Sequence, residues 1–177
     1  MKRNSSTIIS LFCFFLLVST TIQAQKESKS FSAGFGLEAG LPMGNINTAY
    51  HFTGGITVRL AYHVGPGFIT LGSGLVGWAP KTGQGKSTKA SLQIPVKAGY
   101  KYIFYKPFFV MGELGYSSFK VYSDYNGSVV SNSAGGFTYA PTIGVNFNAF
   151  EAGIKYEATA VSGGTFSNVC LRLGFNF

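Results

Sequence analysis

Charge is scarce in this chain. Charged residues make up 11% of its 177 positions, about half the share of an ordinary soluble domain. Cysteine is scarcer still. Cys13 lies inside an apolar leader and Cys170 stands alone beyond it, so no intrachain disulfide framework is expected. After the leader, no apolar run approaches the roughly 20 residues of a membrane helix, and no segment keeps a 3.6-residue period. A disulfide-stapled domain and a helical membrane protein are thereby excluded. Metal-ligand clusters and nucleic-acid modules are also lacking. The formal net charge of +8 therefore does not point to nucleic acid, and no cofactor or metal is expected.

What is present first is a leader. Lys2 and Arg3 form a basic start, Ile8 to Val18 is apolar, and Thr20 to Ala24 ends on a small residue. This three-part pattern is that of a signal peptide over residues 1–24, cleaved after Ala24. About eleven apolar residues are too few for a spanning helix. A lipoprotein is excluded because Cys13 sits within the apolar run rather than after it. Residues 25–30 then read as a short linker and 31–177 as one domain.

That domain carries most of the 24 Gly, 17 Phe and 10 Tyr of the chain. Its apolar residues alternate with small or polar ones, the period of a strand with two different faces. From Phe31 to Leu41, Phe31, Ala33, Phe35, Leu37, Ala39 and Leu41 face Ser32, Gly34, Gly36, Glu38 and Gly40. Similar segments run over 56–64, 68–78, 92–104, 108–118, 137–147, 150–157 and 169–177, the third being the least clear. Eight segments of this length fit a bilayer crossed at a tilt. Long polar links are expected at Pro42–Gly54, Pro80–Lys89, Lys120–Ala134 and Thr159–Ser167. Tight turns are expected at Gly65-Pro66-Gly67, Lys106-Pro107 and Asn148. Short periplasmic turns, longer outer loops and an even strand number define bacterial outer-membrane barrels. The fold expected is thus all-β: an eight-stranded antiparallel transmembrane β-barrel with four longer extracellular loops.

The two faces decide which side is wet. A soluble barrel turns charge outward, whereas here the bulky aromatic face opposes one of Gly, Thr and charge. The aromatic face suits lipid, and the small face suits a narrow interior. Tyr102, Phe104, Tyr105, Phe108, Phe109, Phe147, Phe150, Phe175 and Phe177 lie near strand ends, as an interfacial girdle would. The inferred lumen carries Glu38, Arg59, Lys97, Lys101, Glu113, Glu151, Lys155, Glu157 and Arg172, with His63 in phase. Confined charges require partners. Hairpin geometry suggests Lys97 with Glu113, Glu38 with Arg59, and Arg172 with Lys155 and Glu157. An ion-paired, filled lumen follows, with a narrow porin-like channel as the alternative.

Other motifs carry less. Pro80 to Ser87 resembles the tail of a phosphate loop but lacks its first Gly and a following helix. Gly72 to Gly77 matches a dinucleotide fingerprint, yet lies within a strand pattern. Lys81, Lys86 and Lys89 share the second outer loop. They read either as a solvated loop or as contacts to lipid phosphates. His51 and His63 fall toward opposite sides of the membrane, with no evident Ser and carboxylate partners, so catalysis is not expected. Asn126-Gly127-Ser128 reads as a turn.

Ser91 to Phe104 (SLQIPVKAGYKYIF) and Pro107 to Ser117 (PFFVMGELGYS) resemble the outer-membrane β-barrel domain of Bacteroidetes, the porin-like or PorT-like group. Leu171, Leu173, Phe175 and Phe177 (within LRLGFNF) resemble the last strand by which barrel assembly machinery recognises its clients. The resemblance spans the domain and implies the bacterial outer membrane, reached by periplasmic transit. It implies partners among outer-membrane lipids and, during biogenesis, that machinery. An activity is not implied, and no catalytic residues carry over. A structural or surface-interacting role leads. A small-solute channel, a secretion accessory with an unidentified protein partner and a lipid-modifying enzyme stay open.

Overall fold

The computed structural model describes residues 30–81, 89–125 and 128–177, with the backbone alone at 123–125 and 128–130. The expected signal peptide and nearly all of the linker lie outside the described residues, as does Lys86. Eight strands follow in order: β1 (Phe31–Met43), β2 (Tyr50–Val64), β3 (Gly67–Pro80), β4 (Ser91–Tyr105), β5 (Phe108–Tyr125), β6 (Ser128–Phe147), β7 (Phe150–Val161) and β8 (Gly164–Asn176). Each pairs antiparallel with its sequence neighbour, and β8 returns to β1. Closure leaves no edge, which a strand protein in hydrocarbon requires. The β1–β8 seam sets Leu37 opposite Leu173 and Glu38 opposite Arg172.

Alternation along the strands produces an inside-out molecule. Phe35, Leu37, Leu41, Val58, Leu71, Val96, Leu114 and Ile154 are exposed on the outer surface. Glu38, Arg59, Lys97, Glu113, Glu151, Lys155 and Arg172 are buried within the wall. A soluble protein with this distribution would aggregate through its surface. In lipid the same surface is the buried one.

At the end where β1 begins and β8 finishes, the turns are tight, as expected. Gly65 (φ 59°) and Asn148 (φ 50°) take the left-handed conformation that two-residue hairpins demand. Lys106-Pro107 joins β4 to β5 through a cis bond. The opposite end departs from expectation. Instead of a long link at Lys120–Ala134, β5 and β6 stay paired from Lys120↔Ser133 to Tyr125↔Ser128. Likewise Thr159–Ser167 is mostly strand, paired from Thr159↔Phe166 to Val161↔Gly164. Between Met43 and Tyr50 stands a short 3-10 helix, Gly44–Thr48. Strands that leave the lipid lose the need for an apolar face. Their Ser, Thr and Asn residues then hide the alternation while backbone pairing continues.

The lipid-facing assignment has a measurable consequence. Leu37, midway along β1, is exposed between Ile56 and Leu173 on the neighbouring strands. Leu37→Arg should lower folding stability in phosphatidylcholine vesicles by about 2–4 kcal/mol, read from urea unfolding curves.

Candidate functional site: the filled lumen

The lumen is stacked in layers. At the end away from the termini, Tyr50, Trp78 and Phe119 form a buried aromatic cluster with Val76, and Phe166 packs against it. Phe166 stacks on Phe119 at 4.4 Å and meets Trp78 edge-on at 5.3 Å between ring centroids. Trp78 is 1% exposed. The sequence offers little warning of this cap. β3 is the strand with the weakest alternation, and its inward Val76 and Trp78 look no different from lipid-facing residues.

Beneath the cap lies a polar layer. Tyr50 and Ser91 share a hydrogen bond of 2.8 Å between their hydroxyl oxygens. Trp78 Nε1 donates to Gln93 Oε1 at 2.9 Å. Gln93 Nε2 in turn donates to Ser117 Oγ (3.1 Å) and to Glu157 Oε1 (2.7 Å). Thr138 Oγ1 donates to Ser117 Oγ at 2.7 Å. Gln93 thus ties the aromatic cap to the charges below. It was missed as a site residue, although it lies in phase with Lys97 and Lys101 on β4.

The nine charged side chains expected in the lumen form one connected lattice. Glu151 accepts from Arg59 Nη1 and Arg172 Nη1, each at 2.7 Å, and from Lys101 Nζ at 2.5 Å. Glu157 Oε2 takes Lys155 Nζ at 2.9 Å and a close contact from Lys97 Nζ. Lys155 Nζ also donates to Glu38 Oε2 at 2.6 Å. Glu113 is held more loosely, 3.7 Å from Arg59 Nη2 and 3.9 Å from Lys97 Nζ. Gly36 and Gly174 make room for Arg172, since a Cβ on Gly36 would lie 2.7 Å from its Nη2.

Several partners differ from those hairpin geometry suggested. Lys97 does approach Glu113. Arg59, however, lies opposite Gly34, four residues from Glu38, and pairs with Glu151 and Glu113. Arg172 binds Glu151 and lies 3.7 Å from Glu38, not beside Lys155 and Glu157. In a barrel this narrow, long side chains cross the lumen, so partners come from opposite walls as readily as from adjacent strands. Phe109 is also corrected. It shares the parity of Glu113 and points inward, fully buried, with Lys101 Nζ 4.2 Å from its ring centroid. It is therefore no part of an outer girdle. His63 keeps the lumen phase but lies exposed at the rim, edge-on to Phe68 at 5.0 Å. His51 is at the other end of β2. Cys170 is a free, buried thiol.

The remaining sites fall on the surface. Lys81 ends the described part of the β3–β4 link, and Lys89 resumes it. Lys89 Nζ and Lys120 Nζ each lie 5.9 Å from the centroid of the Tyr122 ring. Leu171 and Leu173 face outward, Phe175 packs on Phe35 and Phe150, and Phe177 N donates to Ala33 O at 2.8 Å.

A closed eight-stranded barrel with an apolar exterior and an ionic interior defines the class of outer-membrane β-barrels. The outer membrane protein beta-barrel domain family matches residues 10–177, and this chain belongs to it. Solved structures agree on the fold. The barrel resembles Ail, the attachment invasion locus protein of Yersinia pestis, at TM-score 0.57 and 17% identity, covering 84% of this chain and 97% of that one. The N-terminal barrel of Pseudomonas aeruginosa OprF gives 0.62 and 11%, with 82% and 97% coverage. Neisserial surface protein A gives 0.54 and 13%, with 83% and 96% coverage. No curated protein sequence matches. The protein thus resides in the bacterial outer membrane. By the rule of its class, the end carrying the Gly65, Lys106-Pro107 and Asn148 turns faces the periplasm and the aromatic cap faces outward.

The lattice makes a graded prediction. Glu151→Gln leaves three cations without their shared carboxylate and should cost about 3–5 kcal/mol. Glu113→Gln, whose ionic contacts are longer, should cost less than half as much. Urea unfolding in vesicles, followed through the single Trp78, would rank the two.

Proposed function

We propose that this outer-membrane barrel is non-enzymatic and non-conducting, and that it acts through its outer surface. The observation carrying the reading is the unbroken filling of the lumen, from the aromatic cap through Gln93 to the ion lattice. Hydrogen bonds and ion pairs link each layer to the next, so a solute path would require breaking several of them at once. Catalysis lacks support on similar grounds. A lipid-modifying reaction needs a nucleophile beside a base, and His51 and His63 are separated by the length of β2.

At the surface, Lys89 and Lys120 beside Tyr122 form a cationic and aromatic rim at the outer end of β4 and β5. This arrangement suits the phosphates of outer-membrane lipids, with Lys81 and Lys86 contributing from the same link. The quoted segments of β4, β5 and β8 support placing the chain with the porin-like, PorT-like barrels of Bacteroidetes. The basic start at Lys2 and Arg3, the apolar run Ile8 to Val18 and the small residue Ala24 support cleavage of a signal peptide after Ala24. The outward row Leu171, Leu173, Phe175 and Phe177 supports recognition by the barrel assembly machinery. A protein partner at the outer loops fits the same reading.

Two measurements test it. In planar lipid bilayers the purified barrel should give no conductance steps, and steady conductance would overturn the filled-lumen reading in favour of transport. For the rim, Lys89→Ala with Lys120→Ala should remove the added stability that phosphatidylglycerol confers over phosphatidylcholine, on the order of 1 kcal/mol per lysine. An unchanged difference between the two lipids would sink the phosphate contact.

A further inference from the structure

The lumen charges do not balance. Among the described side chains, the lattice sets five cations (Arg59, Lys97, Lys101, Lys155 and Arg172) against four carboxylates (Glu38, Glu113, Glu151 and Glu157). The imbalance is concentrated toward the periplasm, where Arg59, Lys101 and Arg172 converge on Glu151. A net cation walled in by lipid is costly unless an anion or water reaches it.

A cavity of about 330 Å³ opens at this point, within the size range of small-molecule sites. Its polar lining includes Arg59, Lys101, Glu151, Thr70 and Asn176, and its apolar lining includes Phe68, Ala61 and Ala149. Thr70 is 1% exposed, yet its Oγ1 has no partner within the protein. The Lys101 ammonium carries three donors, of which Glu151 takes one and Asn146 another at 3.4 Å. The Arg59 fork spends Nη1 on Glu151, while Nη2 stands 3.7 Å from Glu113, beyond hydrogen-bond range. Donors, excess charge and an unsatisfied buried hydroxyl therefore meet at one mouth. The aromatic cap closes the other end of the lumen, so this mouth is reached from the periplasm alone.

We propose that this vestibule is a binding site for a small organic anion from the periplasm. Its acid group sits between Arg59 and Lys101 and accepts from Thr70 Oγ1. Its apolar body lies against Phe68 and the neighbouring Ala61 and Ala149. The cavity is larger than a bare inorganic ion requires, and its apolar lining around Phe68 gives that extra volume a use.

Titration of the full chain, folded in phospholipid nanodiscs, with hexanoate, hexanol and inorganic phosphate tests the site. Amide chemical shifts of Ser32, Thr70 and Asn176 provide the readout. Hexanoate should shift them saturably, hexanol should not, and phosphate should bind several-fold more weakly. Lys101→Met should weaken hexanoate about tenfold or more, the loss of one charge-assisted contact. Thr70→Val, which leaves the ion lattice whole, should weaken it by a smaller factor and guards against a folding defect in the first variant. Hexanol equal to hexanoate, phosphate equal to hexanoate, or hexanoate affinity unchanged in both variants would each overturn the proposal.

Discussion

Charge enclosed by a lipid-covered wall must find a counter-charge nearby, and much of this barrel follows from that constraint. Glu151 answers three cations at once, so its position on β7 fixes how β2, β4 and β8 stand around it. Strand parity makes the arrangement all-or-none. A one-residue slip in any pair would turn a charged row into hydrocarbon and an aromatic row into the lumen. The β1–β8 seam illustrates this: Glu38 and Arg172 sit directly opposite while Leu37 and Leu173 face lipid beside them. Register at closure is thus specified by electrostatics on one side and by apolar burial on the other.

The interior also shows how polar groups can serve as a core. Close packing is retained, but hydrogen bonds replace apolar contact as the glue. Gln93 is central because an amide both donates and accepts. It accepts from the Trp78 indole and donates toward Glu157, joining an apolar layer to an ionic one without orphaning either. The facing glycines Gly36 and Gly174, beside Arg172, have a comparable role. The guanidinium occupies the space that a Cβ on Gly36 or Gly174 would take, 2.7 and 2.5 Å from its nitrogens.

Legibility in the sequence follows the same physics. Strand number, inward parity and the charged set are readable because lipid enforces a strict two-residue period on one face and lumen packing enforces polarity on the other. Where one of these pressures relaxes, the reading weakens. Above the membrane both faces meet water, so the paired ends of β5 and β6 look like a loop. In the cap, both faces of β3 are apolar, so Trp78 and Val76 give no sign of pointing inward. Phe109 lies near a strand end, as a girdle residue would, but its spacing of four from Glu113 places it inside. Partner identity was the least readable feature, because it depends on which wall a long side chain reaches. Local hairpin spacing alone put Glu38 with Arg59, whereas the narrow lumen gives Glu38 to Lys155.

The two mouths of the barrel are built on opposite principles, and the difference bears on how it works. The outer mouth is closed by aromatic rings whose contacts need no water. The periplasmic mouth is polar, with Arg59, Lys101 and Glu151 lining its cavity. A channel would need a polar path at both ends. A soluble-ligand carrier would need its opening on the side where the ligand is released. The arrangement here suits a molecule whose outer surface meets large partners or lipids while its inner mouth meets only what diffuses through the periplasm. The ion lattice lies between the two mouths, and its nine linked side chains fill the lumen that would otherwise join them.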